Sequence, residues 1–287
     1  MPSLIDLRRR IRSVKNTQQV TKAMKMVAAA KLRRAQERAI AARPYSSVFR
    51  QILGSLAAAV AGDETAAGYP LLARRPERSV LLVLLTSDRG SAGAFNTNLN
   101  KAAQRFIEER PAVAVRMELL GRKGRDFWRK RRAVVAGERT GISEKPTYAD
   151  AAAIAHEIAA LFEQEQVDAV YLLYNGFKSI LSQKLTLERL LPAEIPPERT
   201  GGDYIYEQPP AELLGTLLPR YVEISMYHAM LESAASELAA RMTAMDAATK
   251  NAGEMIDKLT LHMNRVRQAS ITKELIEVVS GAAAAQE

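Results

Sequence analysis

A glycine-bearing turn, Asp88-Arg89-Gly90-Ser91-Ala92-Gly93-Ala94-Phe95-Asn96, follows an apolar run and opens a helical pattern. Such a turn can aim backbone N–H groups at a phosphate. It matches neither GxGxxG nor the GxxxxGK spacing of nucleotide loops. A tight turn needing glycine dihedrals for close helix–strand packing is the better account. Gly121-Arg122-Lys123-Gly124-Arg125 has no partner motif and reads as a basic surface turn. The histidines are His156, His228 and His262, with no two at ligand spacing on one helix. There is no cysteine, which removes thiolate chemistry, disulfides and cysteine metal sites together. No GxSxG elbow occurs, and Glu108-Glu109 sits among ordinary helix-surface residues. These residues predict no catalytic site, no metal and no cofactor.

The elements around them are more informative. The 68 residues after Pro219 contain two glycines, Gly253 and Gly281, and a heptad-spaced stripe. Ile224, Leu231, Ala235, Leu238, Met242, Met245, Ala252, Ile256, Leu259, Met263 and Val266 follow steps of three and four, with His228 and Thr249 filling gaps. The pattern predicts one long helix with a coiled-coil seam. At about 1.5 Å per residue, roughly 70 residues extend on the order of 100 Å.

The other terminus supplies a partner. Leu4, Leu7, Ile11, Val14, Gln18, Thr21, Lys25, Ala28, Leu32, Ala35 and Ala39 repeat the same steps, with Ser3 as N-cap. Pro44 is expected to end or kink this helix, although Val48, Ile52, Leu53 and Leu56 continue the pattern. The seam turns small and polar at Gln18, Thr21 and Lys25, where an ordinary bundle helix would carry leucine.

Net charge is +9, and residues 1–50 hold 13 Lys/Arg against Asp6 and Glu37. That excess is larger than the mildly acidic C-terminal helix can neutralise. It points to acidic protein, nucleic acid, anionic lipid or a solvated face. No stretch reaches 18 apolar residues, and no targeting segment is read at the start.

The middle of the chain has another texture. Ser79–Ser87, Val113–Leu120 and Val167–Tyr174 are strand-length apolar runs, with Ala133–Ala136 a weaker one. Helical patterns at Thr97–Glu109 and Ala149–Gln166 alternate with them, and an extended strand follows at Phe177–Leu190. Pro192, Pro196, Pro197, Gly201 and Gly202 form a linker. The order predicts an α/β domain, largely parallel with flanking helices, inserted between two long terminal helices that form an antiparallel coiled coil. The division is 1–60, 73–207 and 208–287. The second helix outruns the first, so a tip of roughly 15–20 residues bearing Ile271, Leu275, Ile276, Val278 and Val279 lacks a partner. Left bare, it would aggregate, which predicts a socket made by other chains.

The run Ile11–Lys31, IRSVKNTQQVTKAMKMVAAAK, closely resembles the N-terminal helix of the gamma subunits of F-type ATP synthases. Arg267-Gln268-Ala269-Ser270-Ile271-Thr272-Lys273-Glu274-Leu275 resembles their C-terminal helix. Ser87-Asp88-Arg89-Gly90, Gly93-Ala94-Phe95-Asn96 and Asp203-Tyr204-Ile205-Tyr206-Glu207 look like central-domain signatures of that family, in the same order. Ser91-Ala92 stands where many members have Leu-Cys, and no cysteine-bearing insert is present, so thiol control is not expected.

The resemblance implies a non-catalytic central rotor for ATP synthesis and hydrogen ion transport. Its partners would be the alpha and beta subunits of the catalytic ring, the epsilon subunit and the membrane c-ring, with one copy per complex. It would sit peripherally on the cytoplasmic face of the bacterial inner membrane, touching the membrane only through the ring. Met24 and Lys25 match the shaft position facing a beta lever segment. Arg267, Gln268 and Thr272 match contacts to a beta loop. Tyr204, Tyr206 and Glu207 match the foot near the membrane ring and epsilon. A rival reading is a nucleic-acid-associated coiled-coil structural protein with a central hinge domain, its basic helix on phosphates. No ATPase motif of the kind that usually accompanies that class is present.

Overall fold

The computed structural model describes residues 3–59, 69–131, 133–194 and 206–284. Helix α1 spans Leu4–Ala59. It opens on a reciprocal cap in which the Asp6 N–H donates to Ser3 Oγ at 3.2 Å and Ser3 Oγ donates to Asp6 Oδ2 at 2.8 Å. Pro44 does not end this helix, contrary to one of the two outcomes expected of it. Beyond the proline, Phe49, Leu53 and Leu56 are buried in the domain core. That burial offsets the backbone bond the ring forfeits. Helix α5 spans Pro210–Ala284 and likewise runs through Pro219, with Pro210 in the first turn, where its missing N–H costs nothing.

The chain forms two compact units, one of Met1–Val27 with Met242–Glu287 and one of Ala28–Arg241. Both long helices contribute to both units, so compactness cuts the chain differently from a division by element.

In the first unit the helices pair antiparallel. Lys25 Nζ meets Asp246 Oδ1 at 2.5 Å, Thr249 Oγ1 donates to Thr21 Oγ1 at 2.8 Å, and Gln18 Nε2 donates to the Thr249 carbonyl at 3.4 Å. The polar stretch of the seam is therefore a hydrogen-bonded crossing. Gly253 lies opposite it, where an added Cβ would stand 3.1 Å from Gln18 Nε2.

The second unit holds a five-stranded sheet in the order β3-β2-β1-β4-β5. Strands β1 (Ser79–Leu85), β2 (Ala114–Leu120), β3 (Val134–Arg139) and β4 (Ala169–Phe177) are parallel. Strand β5 (Gln183–Leu191) joins β4 antiparallel. The central β1 is apolar and buried from Val80 to Leu85 because both its faces are covered. Val80, Leu82 and Leu84 pack with α2 (Phe95–Glu108) and with Trp128 of α3 (Arg122–Trp128). Leu81, Val83 and Leu85 pack with α4 (Tyr148–Glu163) and with segments of α1 and α5.

The segment expected to be a basic surface turn is corrected. Gly121 and Gly124 are buried, and the residues from Arg122 onward start α3. Gly121 adopts φ +100, open to a residue without Cβ, and this lets the end of β2 close on Thr86 at the end of β1.

Candidate functional site

Met24 and Lys25 lie in one turn of α1, both half-buried. Lys25 is engaged by Asp246 of its own chain. Val20, Met26 and Val27 are exposed in the neighbouring turns, giving this part of α1 an apolar surface beside a neutralised cation. Arg267, Gln268 and Thr272 are exposed on α5, where Thr272 Oγ1 donates to the Gln268 carbonyl at 3.0 Å.

Every residue from Ile271 to Ser280 is exposed. Ile271, Leu275, Ile276, Val278 and Val279 thus form an apolar tip, with Leu275 at 60% and Val278 at 69% exposure. Tyr206 is half-buried against the domain core and Glu207 is exposed. Tyr204 lies outside the described residues.

The sequence reading missed the charges α5 buries. Glu223, Glu232, Glu237 and Arg241 are all buried. Glu232 accepts from Arg43 Nε at 3.1 Å and Nη2 at 2.9 Å, and from the Phe177 N–H at 2.8 Å. Glu223 accepts from the Tyr148 hydroxyl and lies 2.7 Å from His156 Nε2. Glu237 pairs with Arg241, whose Nη2 also donates to the Gly90 carbonyl at 3.4 Å. Lys31 pairs with Glu144. The available signal was the density of acids on a helix facing an α1 rich in Lys and Arg.

Burial pushes the Glu237 carboxyl up to about 7, against the pull of Arg241 and with Glu144, Lys31 and Arg89 also near. Above its ordinary value of 4.5, the folded chain keeps a proton that the unfolded chain has released. Stability therefore falls as pH rises through that interval. Glu237→Gln is expected to remove this slope, so that between pH 4.5 and pH 8 the variant's stability relative to the parent rises by roughly 1–3 kcal/mol, whatever fixed cost follows from leaving Arg241 without its carboxylate. Urea midpoints at the two pH values check this, and an identical shift at both would refute it.

Among the described residues no cluster of metal-binding side chains occurs, and no helix is long and apolar enough to cross a membrane. A family model described as ATP synthase matches residues 3–285. The chain is 67% identical to the ATP synthase gamma chain of Solibacter usitatus, covering 100% of both chains. It is 52% identical to that of Anaeromyxobacter sp., covering 99% of both. The chain belongs to the ATP synthase gamma family.

Among solved structures, the central stalk/c-ring of the Tetrahymena thermophila mitochondrial ATP synthase matches with TM-score 0.59 and 28% identity. That match covers 80% of this chain and 99% of the other. A chain of the Euglena gracilis mitochondrial ATP synthase gives TM-score 0.68 at 18% identity, covering 98% and 94%, a likeness of fold. A gamma chain is the rotary shaft of the synthase and a non-catalytic subunit of it. The nucleic-acid reading finds no support among these relatives.

Proposed function

We propose that the shaft acts on the ring of alpha and beta subunits through three surfaces of this chain. Met24 and Lys25 face a beta lever segment, Arg267, Gln268 and Thr272 contact a beta loop, and the Ile271–Val279 tip turns in a socket lined by the ring. Tyr204, Tyr206 and Glu207 contact the membrane ring and the epsilon subunit. The complex stands on the cytoplasmic face of the bacterial inner membrane, and proton flow through the ring turns the shaft.

The observation that carries the reading is the tip. A helix that exposes five large apolar residues in one stretch is suited to a sleeve rather than to water. The Lys25–Asp246 pair supports the role of the first surface, because an internally neutralised cation slides past acidic loops without locking to them.

Met24→Lys tests this. The new ammonium stands beside a lysine already paired, so it is free to form a charge-assisted contact with an acidic beta loop. A contact of about 1.5–3 kcal/mol in one rotational state slows escape from it by roughly tenfold or more. Protons pumped per ATP hydrolysed should fall well below the parent while complex yield holds. Unchanged pumping per ATP would remove this face from the mechanism.

A further inference from the structure

Strand order in the sheet reverses at β1: the connection through α2 leaves it toward β2 on one face, and α4 leads into β4 on the other. In open parallel sheets the crevice beyond the carboxyl ends at such a point is where ligands are held. Here a cavity of about 320 Å³ lies there, lined by Ser87, Asp88, Arg89, Arg122, Ser143 and Arg241 among others. That volume is at the lower end of the range for small-molecule sites.

The carboxylates in its wall are already engaged. Asp88 accepts from the N–H groups of Arg122 at 3.1 Å, Gly141 at 2.9 Å and Ser143 at 3.2 Å, and from Ser143 Oγ at 2.6 Å. Although burial opposes it, those hydrogen bonds hold the Asp88 carboxyl below its ordinary value. Glu144 is held by Lys31, and Glu237 by Arg241.

The cations are less fully matched, although Arg241 is paired with Glu237. The Arg122 side chain has no ion pair among the described residues, and Arg89 reaches Glu144 only at 3.9 Å. Arg241 is 8% exposed, and its Nε is a buried donor without a hydrogen-bond partner. A buried donor left unmatched is costly unless something accepts from it. Lys123 runs beside the rim, its Cε 3.6 Å from where a Cβ on Gly90 would stand.

We propose that this cavity binds a phosphate group, held by Arg122, Arg89 and Arg241 through charge-assisted hydrogen bonds. The binding would be independent of the catalytic nucleotides, because the site lies wholly within this chain. The group can arrive as inorganic phosphate or on a nucleoside diphosphate, and the recognition is the same.

The test is calorimetric titration of the full chain, without its ring partners, with inorganic phosphate and separately with ADP at fixed ionic strength. One saturable site is expected. Arg122→Ala keeps the backbone N–H that serves Asp88 and should weaken binding at least tenfold. Arg241→Lys keeps the charge but removes Nε and should also weaken it, with Trp128 fluorescence reporting that the domain is folded. Phosphate binding without a gain from ADP identifies the free ion as ligand, whereas tighter ADP binding lost in both variants identifies a nucleotide. Absence of saturable binding to either, or binding unchanged by both substitutions, overturns the proposal.

Discussion

Gly121→Ala is expected to destabilise the central domain by about 3–5 kcal/mol, a large part of the 5–15 kcal/mol typical of a native domain. The backbone at Gly121 holds φ +100, which an L side chain tolerates poorly. An alanine Cβ there would stand 2.2 Å from the Thr86 carbonyl oxygen and 2.8 Å from Thr86 Oγ1. Neither neighbour can move away freely. Thr86 is tied by its N–H to the Leu120 carbonyl at 2.7 Å, and its hydroxyl accepts from the Gly124 N–H at 2.8 Å. Gly141→Ala separates the two costs, since it has φ +88 with nothing within 4 Å of the added carbon. That variant should lose only about 1 kcal/mol, the backbone part alone. Urea unfolding followed by Trp128 measures both, because this single tryptophan is buried and donates to Asn100 Oδ1 at 3.0 Å. A Gly121→Ala midpoint equal to that of Gly141→Ala would show that the closeness to Thr86 is relieved at little cost.

Removal of the chain from Leu275 onward should leave the isolated protein folded while the yield of assembled complex drops severalfold or more. Leu275, Ile276, Val278 and Val279 are 60–69% exposed within their own chain, so little folding energy is lost with them. In a sleeve, each large aliphatic side chain would contribute about 1.5–3 kcal/mol through burial. Losing four of them is therefore a heavy loss for assembly and a light one for folding. Arg267→Ala with Gln268→Ala should do the reverse, slowing ATP turnover with yield near normal, since these exposed polar side chains bury little apolar surface. Unfolding of the truncated chain on its own would mean that the tip belongs to its own core, and the socket would have to be abandoned.

The long helices were legible because heptad spacing is a one-dimensional signal. Leu7, Ala28, Leu32 and Ala39 are buried as their positions in the repeat require, and so are Leu231, Ala235 and Leu238. The parallel strands were legible for a related reason: Val80–Leu85 is a run with no polar side, as suits a strand covered on both faces. Gly121–Arg125 was misread because its basic residues looked solvated, whereas the two glycines are what the fold packs against. The long-range contacts of the buried α5 charges were missed for a deeper reason. Glu232 meets Arg43, and Arg241, beside its helix neighbour Glu237, meets the Gly90 carbonyl; both Arg43 and Gly90 are remote in sequence, and periodicity carries no information on which groups meet. The shaft and foot residues rested on resemblance, since Met24 or Thr272 is chemically ordinary in isolation.

Between Tyr221 and Ala239, α5 is enclosed on nearly every side by its domain, over about five helical turns. Close packing already resists rotation of the helix about its own axis, because its side chains interdigitate with their neighbours. The bonds from Arg43 and the Phe177 N–H to Glu232, and from Arg241 to the Gly90 carbonyl, are directional. They index the helix to α1, to the end of β4 and to the turn after β1 as splines index an axle to its hub. Twist applied to the domain enters α5 along the whole enclosed length, so no single backbone bond has to carry the load.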